Sequence, residues 1–111
     1  MNLKKISPEI SVSPQISAED VASIAEEGYR AIICNRPDGE GSDQPPFEVI
    51  EAAAKKAGIE ARYVPVQSGM MTEQDVSAFS DALSELESPL VAYCRSGTRS
   101  AMLYSALEAA G

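Results

Sequence analysis

Tyr93-Cys94-Arg95-Ser96-Gly97-Thr98-Arg99-Ser100 follows the short apolar run Pro89 to Ala92 and precedes the Ala/Leu-rich segment Ala101 to Ala110. A strand that ends in Cys and turns through a Gly-containing loop into a helix aims several backbone N–H groups and the positive helix end at one point. Such a point binds an anion. Cys94 is placed at its floor, where the helix N-terminus and the guanidinium groups of Arg95 and Arg99 favour thiolate, the nucleophilic form of sulfur. The stretch therefore predicts a strand–loop–helix unit of an α/β fold and a reactive sulfur in an oxyanion cradle. Cys94, Arg99 and Ser100 are the candidate catalytic residues, and Arg95, Ser96, Gly97 and Thr98 the candidate substrate-binding ones.

Upstream, strand and helix signals alternate. Ile6 to Val12 alternates apolar and polar residues around Pro8, as expected of an irregular edge strand or small hairpin. Ser17 is a predicted N-cap, with Glu19 and Asp20 in the first turn, Val21, Ile24 and Ala25 on one face, and Gly28 as the stop. Tyr29 to Cys34, apolar apart from Arg30, reads as a strand covered on both faces. Asn35 to Pro46 is rich in Pro, Gly and acidic side chains and reads as a long loop at that strand's C-terminal end. Phe47 to Ala57 predicts a helix with Phe47, Ile50 and Ala54 inward, and Ile59 to Val66 a further strand. Thr72 and Asp75 form a capping-box pattern before Val76, Phe79, Leu83 and Leu86 at helical spacing. The whole predicts one domain over residues 1–111, a three-layer α/β fold whose mostly parallel sheet of about four to five strands is flanked by helices. Ligands of such sheets bind beyond the carboxyl ends of the strands, so the loop after Cys34, the Gln67 to Met71 loop and the Cys94 loop are expected to converge there.

Composition narrows the chemistry. The 111 residues are 44% hydrophobic and carry a net charge of −8, which argues against nucleic acid and anionic membrane as partners. No apolar run approaches the length of a membrane span, and the start, Met1 to Lys5, is followed by Ser and Pro rather than an apolar signal core. A cytoplasmic location is therefore expected. The sequence has no His, so no imidazole serves as base, acid or ligand, and its two cysteines, Cys34 and Cys94, lack zinc-type spacing. Neither a metal nor a cofactor is expected.

Val91 to Ser100 resembles the active-site loop of rhodanese sulfurtransferases. Ile10-Ser11-Val12-Ser13-Pro14-Gln15-Ile16, Asn35-Arg36-Pro37-Asp38-Gly39-Glu40 with Asp43-Gln44-Pro45, and Tyr63-Val64-Pro65-Val66 are similar to the phosphatase-like domain of beta-lactamase hydrolase-like proteins. That resemblance covers nearly the whole chain. It implies a dual-specificity-phosphatase-like α/β fold, with a rhodanese-like fold as the alternative. It also implies that some relatives are fused to a metallo-hydrolase acting in sulfide or persulfide metabolism, and an association of this chain with such a metallo-beta-lactamase-like hydrolase or persulfide dioxygenase is expected from it.

Two departures from the phosphatase pattern bear on the reaction. Cys-dependent phosphatases place five residues between Cys and the anion-gripping Arg, whereas four separate Cys94 from Arg99, as in rhodaneses. They also supply an Asp general acid from a preceding loop, where this chain has Gln67 and Ser68, neither of them a proton donor at neutral pH. Asp38, Glu40 or Asp43 are the substitutes within reach of the sequence. Sulfur transfer through a Cys94 persulfide, from thiosulfate or a low-molecular persulfide, tolerates a missing acid and is the leading expectation. A cysteine-dependent phosphatase acting on a phosphate ester is the alternative, and a non-catalytic anion-binding regulatory domain the third reading. Ser100 is expected either to hydrogen-bond the Cys94 thiolate or to cap the helix. Cys34 is read as a buried small side chain or as a partner for Cys94, and Arg36 and Asp38 as an ion pair shaping their loop or touching substrate. Met70 and Met71 either line the mouth of the pocket or fill a core gap.

Overall fold

Apolar side chains alternate across two central strands and so decide the layering. In β3 (Ala31–Cys34), Ala31 and Ile33 join one core cluster and Ile32 and Cys34 the other. In β5 (Leu90–Tyr93), Leu90 and Ala92 join the first cluster, and Val91 and Tyr93 the second. Successive side chains of a strand point to opposite faces. Every residue of both strands is buried, so the sheet is covered on both sides. These positions come from a computed structural model that describes residues 2–110. Met1 and Gly111, the ends of the predicted 1–111 unit, lie outside the described residues.

The remaining strands are β1 (Lys4–Lys5), β2 (Ile10–Ser13) and β4 (Glu60–Tyr63), and the sheet order is β1-β2-β5-β3-β4. β1 and β2 are antiparallel, while the β2–β5, β5–β3 and β3–β4 pairs are parallel. The predicted hairpin around Pro8 is present, but the sheet's border belongs to β1. β2 lies between β1 and β5, which buries Ser11 and Ser13 together with Ile10 and Val12. β4 is shorter than the predicted Ile59 to Val66 strand. The Val64 and Val66 N–H groups still donate to the Cys34 and Asn35 carbonyls at 2.9 and 3.0 Å, but this stretch lies beyond the regular ladder, and both side chains enter the core from an irregular segment.

α1 (Ala18–Glu26) and α2 (Phe47–Lys56) cover one face, and α3 (Glu73–Glu85) and α4 (Thr98–Ala110) the other. Ser17 and Asp20 form a reciprocal capping box at the start of α1, as Thr72 and Asp75 do for α3. Phe79 and Leu103 are fully buried beneath α3 and α4, and Ile24 and Ile50 beneath α1 and α2.

The chain runs outward from β3 to the border strand β4 and then returns to the opposite side of β3 as β5. The carboxyl ends of β3 and β5 thus flank a point where the strand order reverses, and a crevice opens there. Cys34 and Tyr93 are register partners at that end, and the Asn35 N–H donates to the Tyr93 carbonyl at 2.8 Å. No helix among the described residues is long and apolar enough to cross a membrane.

Candidate active site

Cys94 leaves β5 one residue beyond the ladder, its N–H donating to the Ser13 carbonyl of β2 at 3.3 Å. The Arg95 carbonyl accepts the Gln15 N–H at 3.2 Å, so the loop is anchored to the segment that follows β2. Gly97 turns the chain into α4. Its φ of +92° lies in the left-handed region that a Cβ disfavours, and its carbonyl accepts the Ala101 N–H at 3.0 Å. In that conformation the Gly97 N–H points inward and donates to Cys94 Sγ at 3.1 Å. Cys94 is 1% exposed at the floor of a cleft of about 850 Å³, whose walls include Arg95, Ser96, Thr98 and Arg99. Gln67, Ser68, Gly69 and Met71 close the opposite side. All three expected segments therefore meet at the cleft, with Glu40 supplied by the loop after β3.

The geometry of Arg99 is set by that Glu. Arg99 Nη1 and Nη2 donate to Glu40 Oε2 and Oε1, each at 3.0 Å, and Nη1 also donates to the Val66 carbonyl at 2.9 Å. A guanidinium has five N–H donors in a fixed plane. Those bonds occupy both Nη1 hydrogens and one on Nη2, leaving Nε–H and the second Nη2–H, which lie along one edge of the plane. That edge matches two oxygens of an oxyanion. Glu40 Oε1 also accepts Arg36 Nε at 3.0 Å, and Arg36 Nη1 donates to Gln15 Oε1 at 3.0 Å. Arg99 first, with Arg36 behind it, holds the Glu40 carboxyl below the ordinary carboxylate range. Glu40 is thus an ionised clamp rather than a proton donor.

The loop that presents Glu40 is braced by its own polar side chains. Gln44 Nε2 donates to the Pro37 carbonyl at 2.8 Å, and Gln44 Oε1 accepts the Gly41 N–H at 3.0 Å. Asp38 Oδ1 accepts the Phe47 N–H at 2.8 Å, supplying the cap that Pro46 has no side chain to give α2. The predicted Arg36–Asp38 ion pair is replaced by Arg36–Glu40, because Asp38 is committed to α2. Asp38 is accordingly not in the cleft, and Asp43 lines a separate depression.

Ser100 corrects another expectation. It is fully buried, and its hydroxyl donates to Asn35 Oδ1 at 2.8 Å rather than to Cys94 or the helix end. Asn35 Nδ2 donates in turn to the Val64 carbonyl at 2.9 Å, so Ser100 and Asn35 tie α4 to the strand ends beneath the cleft. Cys34 and Cys94 are both free thiols. Cys34 packs in the core against α1 and α2 and donates to the Arg36 carbonyl at 3.2 Å, while burial pushes its thiol above the ordinary value. Met71 does both things expected of it, lining the cleft and packing on the core, whereas Met70 is 65% exposed. Met102, on the second turn of α4, adds an apolar wall that the sequence did not single out.

A buried thiol at the floor of a strand–loop–helix cradle, an arginine lining the same cleft and a doubly covered, mostly parallel sheet together define a phosphatase-like α/β domain. Residues 2–111 match the family described as beta-lactamase hydrolase-like protein, phosphatase-like domain, and the chain belongs to that family. A beta-lactamase hydrolase-like protein of Xylella fastidiosa is 38% identical over 97% of this chain. The chain spans 25% of that relative's length. Among solved structures, a candidate phosphatase from Neisseria meningitidis has a TM-score of 0.86 at 36% identity, covering 94% of this chain and 74% of that one. P. aeruginosa TpbA in complex with phosphotyrosine shares the fold, with a TM-score of 0.68 at 17% identity over 92% of this chain and 59% of that one. The family match and the Neisseria meningitidis structure favour the phosphatase alternative over the sulfurtransferase reading, whereas TpbA shows the fold alone.

Proposed function

We propose that the chain is a cysteine-dependent phosphatase that hydrolyses phosphate monoesters through Cys94. The observation that carries this is Cys94 Sγ receiving the Gly97 N–H at the floor of the cleft that Arg99 also lines. Loop N–H groups and the free edge of Arg99 hold the phosphoryl oxygens, and positioning of this kind supplies much of the acceleration in phosphoryl transfer. Cys94 sulfur attacks phosphorus, the ester P–O bond breaks, and the leaving oxygen keeps the electron pair. Water then attacks phosphorus and frees the thiolate and inorganic phosphate. Among the described residues, Glu40 is the one carboxylate lining the cleft; it is held ionised by two arginines and has no proton to give. The proposed substrates are therefore esters whose leaving group departs without protonation, aryl phosphates first. TpbA with phosphotyrosine bound supports an aryl ester.

A second reading, sulfur transfer, is supported by the four-residue spacing between Cys94 and Arg99. Cys94 sulfur would attack the outer sulfur of thiosulfate, expel sulfite with the S–S electron pair, and pass the persulfide sulfur to an acceptor thiolate. Association with a metallo-beta-lactamase-like hydrolase belongs with this reading, and what supports it is that the relatives named beta-lactamase hydrolase-like protein are longer chains, of which this one spans 25%. One experiment separates the two. Intact mass and product release are followed after para-nitrophenyl phosphate or thiosulfate, with Cys94→Ser in parallel. Cys94-dependent phosphate release is expected, with far slower release from an alkyl phosphate. A gain of one sulfur without phosphate release would overturn the phosphatase reading, and no turnover of either kind would leave an anion-binding domain.

A further inference from the structure

A second depression of about 470 Å³ adjoins the Cys94 cleft, and Glu40 and Arg95 line both. Its other walls include Gln15, Arg36, Gly41, Ser42 and Asp43. Arg36 is its distinctive feature. The side chain is 7% exposed, yet only Nε and one Nη1 hydrogen are committed, to Glu40 and Gln15. No buried side-chain nitrogen or oxygen among the described residues lacks a partner, so Arg36 Nη2, which has none, opens toward the depression. Gly41 makes the room for it. A Cβ there would stand 2.6 Å from Arg36 Nη2, a distance that forces the guanidinium aside. Arg95 is exposed and has no acidic partner among the described residues, so it offers an uncommitted guanidinium on the ridge between the two hollows.

We propose that this depression is a second anion subsite for the same substrate, taking a carboxylate attached to the group that carries the oxyanion at Cys94. The proposal rests on the phosphatase reading for the identity of the first oxyanion alone. Asp43 sets the charge of the ligand. Its Oδ1 lies 3.6 Å from the same Gly41 Cβ position, so with Glu40 shared between Arg99 and Arg36 the pocket sets Arg95 and the remaining donors of Arg36 against the Asp43 carboxylate. That balance suits a single negative charge better than a second phosphate dianion. Arg36 meets a carboxylate with preformed donors on a buried, immobile side chain, the arrangement in which a planar guanidinium is most selective.

Binding and turnover test it separately. 4-Sulfobenzoate and benzenesulfonate are titrated into the wild-type chain by calorimetry, and kcat/KM is compared for 4-carboxyphenyl and 4-carbamoylphenyl phosphate. The carboxylate member of each pair is expected to be favoured about tenfold, the scale of one charge-assisted hydrogen bond. In Gly41→Ala and in Arg95→Gln the ratio within each pair is expected to fall toward one, and in Asp43→Asn to rise. Equal affinity of the wild type for the two sulfonates would overturn the subsite, whatever the enzyme turns over. A carboxylate preference in binding with no turnover of either ester supports the subsite and sinks the phosphatase reading instead.

Discussion

Replacing Glu40 by Gln preserves the size of the side chain and removes its charge. Glu40 accepts three hydrogen bonds of 3.0 Å, two from Arg99 and one from Arg36. An amide has one acceptor oxygen, so its NH₂ must face a guanidinium N–H across at least one of those positions. Hydrogen bonds to charged groups contribute about 1.5–3 kcal/mol net. The Glu40 side chain keeps 26% of its surface exposed, and solvent screening reduces that figure. A loss of about 1–2 kcal/mol of folding stability is expected at neutral pH. Catalysis should lose more than stability, because the free edge of Arg99 is aimed by the bonds that Glu40 makes to its far edge. A drop in kcat/KM of at least about tenfold, or about 1.4 kcal/mol of transition-state positioning, is expected with para-nitrophenyl phosphate. The pH dependence carries a sign. The native Glu40 carboxyl lies below its ordinary value of 4.5, so below that value the unfolded chain binds the proton more readily than the native one. Its contribution is complete above the unfolded value and fades as pH falls through the native one. Urea unfolding of wild type and E40Q at neutral pH and at about pH 3 should therefore show the gap narrowing in acid. Equal urea midpoints at neutral pH together with equal kcat/KM would refute the clamp.

Three further outcomes are expected. Ser100→Ala leaves the buried Asn35 Oδ1 without its 2.8 Å donor and should cost about 1–3 kcal/mol in urea unfolding while leaving the alkylation rate of Cys94 unchanged. A faster or slower Cys94 at unaltered stability would return Ser100 to the thiol. Gly97→Ala forces a Cβ into φ +92° and should cost about 1–2 kcal/mol while lowering kcat/KM at least tenfold, roughly the loss of one oriented donor. Full activity in that variant would show that the Gly97 N–H contributes nothing. Cys34, with its thiol raised above 9.0 mainly by burial, should resist iodoacetamide at pH 9 in native Cys94→Ser protein and react once urea is added. Rapid native labelling, mapped by peptide mass, would contradict its placement in the core.

The layers and helix ends were legible in the sequence because local chemistry dictates them. Ser17 with Asp20 and Thr72 with Asp75 are caps complete within four residues, and Ala31 to Cys34 could only be a doubly covered strand. The Cys94 loop was legible for the same reason, since strand, glycine and helix start are contiguous. Glu40 was visible only as one of three acids in a polar loop. Its partner Arg99 lies 59 residues away, and no spacing rule links a loop carboxylate to a helix arginine at that distance. Ser100 misled because its nearest chemistry in sequence is Cys94, whereas in space it is Asn35, 65 residues earlier. The strand order was equally out of reach of local pattern. That Lys4 and Lys5 take the border and leave β2 inside the sheet depends on pairings decided by the whole chain.

That border has a consequence for how the domain behaves in a crowd. A sheet ends in unpaired backbone groups that invite a strand from another molecule, and the usual protections are a short edge and charge. β1 offers only two residues, both lysines and both exposed. The opposite border, β4, alternates Glu60 and Arg62 along its length. A strand arriving from a neighbouring copy would find either too little ladder to hold it or charges to desolvate. The fold is therefore expected to stay dispersed at high concentration, and a longer polypeptide can carry it without its sheet fusing to that of another domain.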